Sequence, residues 1–106
     1  MENDAIRDLF AGLGPVSIRK MFGGKGIYFG GVIIALELST GSLLLKADEK
    51  SIPEFEAAGC EQWTYEGKSK PVKMPYWSVP DEAFDDPEIM TEWATRAYEA
   101  ALRSVK

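Results

Sequence analysis

Apolar and polar positions follow two different rhythms along this chain, and the changes of rhythm mark its elements. Ile6, Leu9, Phe10 and Leu13 recur at helical spacing, with Asn3 or Asp4 placed to cap the first turn and Gly14-Pro15 placed to end the helix. This predicts a short amphipathic helix whose single apolar stripe needs a surface to lie on. The period then shortens. Residues 18–22, 26–29, 32–38 and 42–46 are β-prone runs, separated by Gly23-Gly24, Gly30-Gly31 and Ser39-Thr40-Gly41. Paired glycines supply the positive φ angles of tight hairpin turns, so the runs form an antiparallel meander. The second and third runs also read as one bent pair, which leaves three strands here. Val32-Ile33-Ile34-Ala35-Leu36 does not alternate, the pattern of a central strand with little exposure on either face.

A second helix is announced by Ser51-Ile52-Pro53-Glu54, which has the form of a capping box, and is closed by Gly59. Ile52, Phe55 and Ala58 form its inner side. Two strands follow. Trp63 and Tyr65 share one side of the first, and Val72, Met74 and Tyr76 share one side of the second. Pro71 and Pro75 assign that second strand to a sheet edge or a bulge, and an exposed edge there would suit a homodimer. Asp85-Asp86-Pro87-Glu88 opens a long final helix, with acidic residues at the positive end of its dipole and Met90, Trp93, Ala94, Ala97, Ala101 and Leu102 along one side. The expected architecture is a two-layer α+β domain over residues 1–106. It has an antiparallel five-stranded sheet with helices packed on it, in the order α-β-β-β-α-β-β-α.

Composition narrows the chemistry. The 106 residues carry no histidine, one cysteine and a net charge of −5. Histidine triads, histidine proton shuttles and histidine metal sites are therefore excluded, and Cys60 alone forms neither an intrachain disulfide nor a thiolate cluster. The acidic N-terminus, Met1-Glu2-Asn3-Asp4, lacks the basic start and apolar run of a secretory signal, and no apolar stretch is long enough to span a bilayer. A cytoplasmic protein is expected.

Several strings invite a functional reading. Phe22-Gly23-Gly24-Lys25-Gly26 is followed by a strand rather than a helix, so it is a turn and not a phosphate-binding loop. Lys25-Gly26-Ile27-Tyr28-Phe29 resembles an RNA-recognition strand, but the surrounding element order is wrong for that fold. Arg19, Lys20, Lys25 and Lys46 form one basic group, with Glu37 opposing them, and Lys68, Lys70 and Lys73 form another. Beside Trp63, Tyr65, Tyr76 and Trp77 these lysines could hold single-stranded nucleic acid. The overall acidity and the six carboxylates of residues 81–92 weigh against it. The carboxylate pairs fall on helix starts and exposed helix faces, and Cys60 has no partner to activate it. No cofactor and no catalytic residues are expected.

The chain closely resembles the TfoX/Sxy N-terminal domain family. The matching strings are Arg19-Lys20-Met21-Phe22-Gly23-Gly24-Lys25-Gly26-Ile27-Tyr28, Leu43-Leu44-Leu45-Lys46-Ala47-Asp48, Phe55-Glu56-Ala57-Ala58-Gly59, Trp63-Thr64-Tyr65, Met74-Pro75-Tyr76-Trp77-Ser78-Val79-Pro80 and the final helix. The resemblance implies helices on an antiparallel sheet. It also implies a role as transcriptional co-regulator at competence promoters, exerted in longer members together with a helical C-terminal domain that is not found before Lys106. The expectation drawn from it is a non-enzymatic regulatory or adaptor module with a protein partner, such as the transcription machinery. Direct nucleic-acid binding is the alternative, and a small-molecule-binding protein or an enzyme stands behind that. The expected binding residues are Arg19, Lys20, Phe22, Gly23, Gly24, Lys25, Tyr76 and Trp77, with no metal site.

Overall fold

Gly30 and Gly31 both adopt positive φ, 60° and 85°, so the chain reverses in a two-residue turn whose handedness matches strand twist. That turn separates β2 (Gly24–Phe29) from β3 (Val32–Glu37) as two full strands. The meander therefore has four strands, β1 (Ser17–Met21) through β4 (Leu43–Lys46), and the sheet six rather than five. α1 (Asn3–Leu9) precedes them. After them come α2 (Ile52–Ala57), β5 (Gln62–Glu66), β6 (Pro71–Ser78), a one-turn α3 (Asp81–Asp85) and α4 (Pro87–Ser104). This computed structural model describes residues 1–21, 23–66 and 70–105. Phe22 and Lys68, both singled out in the sequence, lie outside the described residues.

The sheet order is β1-β2-β3-β4-β6-β5 and every pairing is antiparallel. β3 is an interior strand, and Ile34 and Ala35 are fully buried, as the unbroken apolar run predicts. β6 is interior too, between β4 and β5, which corrects the edge assignment and moves the exposed edge to β5. The bulge half of that expectation holds. The pairing shifts between Gln62↔Trp77 and Thr64↔Lys73, so Pro75 sits where no ladder donor is required of it. The Pro75 carbonyl still accepts from Ala47 N–H at 2.9 Å.

Opposed residues in an antiparallel pair project to the same side. One row, Ile18–Ile27–Ala35–Leu45–Trp77, runs across five strands and carries the core. All four helices lie on that side. α1 contributes Ile6 and Phe10, α2 contributes Phe55, α3 contributes Ala83, and α4 contributes Met90, Trp93 and a stripe of Ala94, Ala97 and Ala101. The alanines let α4 lie close against β3 and β4. Phe55 is sandwiched between Trp93, at 4.8 Å between ring centroids, and Trp77, at 6.1 Å.

The caps differ from expectation in two places. Glu2, not Asn3 or Asp4, stands at the N-cap of α1. No capping box forms at α2, because the Ser51 hydroxyl turns back to accept from Asp48 N–H at 3.0 Å, while Asp48 Oδ1 accepts from Ser51 N–H at 3.1 Å. The loop before the helix is tied to itself instead. At α4 the expected cap is present: Asp86 Oδ1 accepts from Glu88 N–H at 2.9 Å, with Pro87 in the first turn.

Candidate functional site

The helix-free side of the sheet is apolar as well. Leu44 and Tyr76 are only 6% and 7% exposed, yet neither belongs to the core cluster beneath the helices. Met21, Tyr28, Ile33, Leu36, Trp63 and Met74 are half-buried and likewise stand apart from that cluster. The register explains why: Arg19, Gly26, Leu36 and Leu44 form the row next to the core row and point the opposite way. β5 and β6 add Trp63, Tyr65, Met74 and Tyr76 to that side, with Trp63 and Tyr65 edge-to-face at 6.2 Å.

No helix covers this second layer among the described residues, so the sheet shields it by curling. Met21 from one edge strand and Trp63 and Tyr65 from the other line a single hollow of about 550 Å³, with Leu36, Leu38 and Met74 along its floor. Both edges of a six-stranded sheet reach one cavity only if the sheet bends toward its open face. The hollow has the volume of a ligand pocket and an almost wholly apolar lining. At its β1–β2 end it opens into a shallower depression of about 540 Å³ bordered by Lys20, Gly23 and Lys25. Gly24 lies at the junction. A Cβ there would collide with the Glu37 carbonyl oxygen, so glycine is what allows β2 to approach β3 at that point.

The face is electrostatically distinct from the rest of this acidic molecule. The Arg19 guanidinium lies 5.3 Å from the Tyr28 ring centroid, and the Lys46 ammonium lies 5.3 Å from that of Tyr76. Burial pushes the Lys46 ammonium below its ordinary pKa, against an opposing pull from Asp48. Burial raises the Tyr76 phenol, and neighbouring Tyr28 adds to the rise. By register the described strand positions on this side carry these two cations, and the hollow is also lined by Lys25 and Glu37, an oppositely charged pair. The six acidic residues of 81–92 belong to α3, α4 and the junction between them, behind the sheet.

The sequence-predicted residues divide between the two sides. Arg19 and Tyr76 belong to the open face. Lys20, Lys25 and Glu37 form a row on the helix side, at the mouth of the depression. There Glu37 is only 5% exposed, with Oε2 2.9 Å from the Met1 ammonium and Oε1 4.0 Å from Lys25 Nζ. Lys25 Nζ also donates to the Met1 carbonyl at 2.6 Å. It is therefore held in a local network rather than projecting outward. Trp77 is a core residue, with a buried indole N–H that has no partner among the described residues. It adjoins Tyr76 in sequence and points the other way. Gly23, at φ 77°, serves the turn.

Leu36 and Leu44 carry no sequence signal of this layer, because apolar residues of an interior strand read as buried whichever side they face, and Met21 lies on an edge strand whose side only the register with β2 reveals. Cys60 is half-buried, and desolvation pushes its thiol pKa up. No group of three or more His, Cys, Asp or Glu among the described residues is placed to hold a metal ion. No described helix is long and apolar enough to cross a membrane.

No curated protein matches the chain. The family model of the TfoX N-terminal domain matches residues 8–101, which takes in all six strands, α2, α3 and most of α4. With its paired-glycine meander and α4 packed across β3 and β4, the chain belongs to the TfoX N-terminal domain family.

Proposed function

We propose that this domain is a non-enzymatic regulatory adaptor that works in the cytoplasm by protein contact, in the control of competence genes that its family is associated with. The observation that carries the reading is the second apolar layer on the helix-free face, with its hollow of about 550 Å³. A sheet that only had to support a core would show polar side chains on its outer side. Large apolar surfaces rimmed by polar residues mark interaction sites. The two cations of this face, Arg19 and Lys46, are held over tyrosines, an arrangement that suits recognition better than proton transfer.

The test is transcriptional. In a strain lacking the chromosomal copy, the wild-type gene restores competence-gene transcript levels, and Tyr65→Lys, which places a charge on the hollow's outer wall, does not. Circular dichroism checks that the variant is folded. Equal transcript levels with wild type, with the variant and with no copy at all remove the proposal.

A further inference from the structure

Resting on the protein-contact reading above, we infer that the hollow receives an acidic partner segment anchored by large apolar side chains. Two independent features define this occupant. The lining is aliphatic and aromatic: Met21, Leu36, Trp63, Tyr65 and Met74 surround about 550 Å³, room for two or three buried side chains. Methionines at both ends of that lining adapt their shape to different anchors.

The second feature is charge. Arg19 and Lys46 belong to the open face and Lys20 borders the adjoining depression, while the carboxylate that lines both hollow and depression, Glu37, is paired with the Met1 ammonium and Lys25. On a chain of net charge −5 this is the side that attracts anions, while the carboxylates of residues 81–92 lie behind the sheet. A second copy of the chain fits poorly. A two-fold arrangement of open faces sets two faces that both carry Arg19 and Lys46 against each other and joins two acidic molecules. A nucleic-acid strand would ask for a continuous line of free cations. Here the open face offers two separate cations at its described strand positions, Arg19 and Lys46, and Lys25 is bound to the Met1 carbonyl and faces Glu37.

The experiment pans random dodecapeptides displayed on phage against the full chain and measures the enriched peptide by titration and by amide chemical-shift mapping. The expected result is a consensus combining acidic residues with spaced aromatic or aliphatic ones. Its shifts should centre on Met21, Leu36, Trp63, Tyr65 and Met74. Binding should weaken about tenfold in Tyr65→Ala and again in Arg19→Glu. Tyr65 is 55% exposed, so its truncation leaves the fold intact. Shifts centred on the helix side overturn this inference and leave the protein-contact reading standing. Basic consensus peptides, no enrichment, concentration-dependent dimerisation through these residues, or salt-steep binding of oligothymidylate at them each overturn it as well. The transcript test judges the broader reading separately.

Discussion

Arg103 grips Asp48 with a two-pronged hydrogen bond: Nε donates to Oδ2 at 2.6 Å and Nη2 donates to Oδ1 at 2.9 Å, joining the last turn of α4 to the loop after β4. The guanidinium holds the Asp48 carboxyl down at about 2, helped by the Ser51 amide and hydroxyl. A carboxylate whose folded pKa is depressed adds stability at pH values above its unfolded pKa, near 3.8, and loses that contribution as pH falls through about 2. Asp48→Asn should therefore lower the melting temperature by about 4 °C at neutral pH and by much less near pH 2. Calorimetric scans across that range check it, and an undiminished difference at pH 2 would rule the linkage out.

Glycine substitutions at the two hairpins should differ in kind. Gly31 has positive φ but open space around a built Cβ, so Gly31→Ala costs only the conformational strain, about 1–2 kcal/mol. Gly24→Ala drives a Cβ into the Glu37 carbonyl, which no rotamer relieves, so β2 and β3 must part. Urea unfolding should show a clearly larger loss for Gly24→Ala. The amide shifts of Met21 and Leu38 should move in that variant alone.

The aromatic stack of the core supplies a contrasting pair. Phe55→Ala empties a fully buried site between two tryptophans and should cost about 3–5 kcal/mol by chemical denaturation. Trp77→Phe shrinks a ring but also removes an indole N–H that has no partner, two effects of opposite sign. Its net change should stay within about 1.5 kcal/mol. A loss as large as that of Phe55→Ala would mean that the N–H is satisfied after all.

Cys60 should be slow toward thiol reagents. Desolvation and the nearby Asp81 charge hold the thiol above its ordinary pKa, against a hydrogen bond with Ser78. At pH 8 the thiolate fraction is therefore below that of a free cysteine. Reaction with an aromatic disulfide reagent should run slower than with glutathione and accelerate on unfolding in urea. A faster folded-state rate would contradict the assignment.

Much of this architecture is written in short-range signals. Gly30-Gly31, Asp86-Pro87 and Gly59 each perform the local task that their residue types predict, because turn and cap geometry depends on a few neighbouring atoms. Strand order was less visible. Pro71 and Pro75 suggested an edge, yet the bulge opposite β5 accommodates Pro75 inside the sheet, and no local pattern reveals which strand adds outermost. The candidate site was legible in part. Arg19 and Tyr76 belong to the open face, but Trp77 follows Tyr76 and must point into the core, since adjacent strand residues face opposite ways. That two apolar sets, one per side, would be separated by a single curved sheet needs the long-range pairing of β4 with β6, which alternation alone cannot supply.

The two lips of the hollow are the outermost strands. Among the described residues β1 pairs with β2 and β5 with β6 and neither with a second strand, so each lip is fastened along one margin. The gape between Met21 and the Trp63–Tyr65 pair is therefore bounded by the two least-fastened strands, with Ile18 of β1 still packed against the core. Were the hollow to hold the proposed partner, its width would be set by these two singly fastened margins, so substitutions on the open side of β1 or β5 are the ones that would retune the fit.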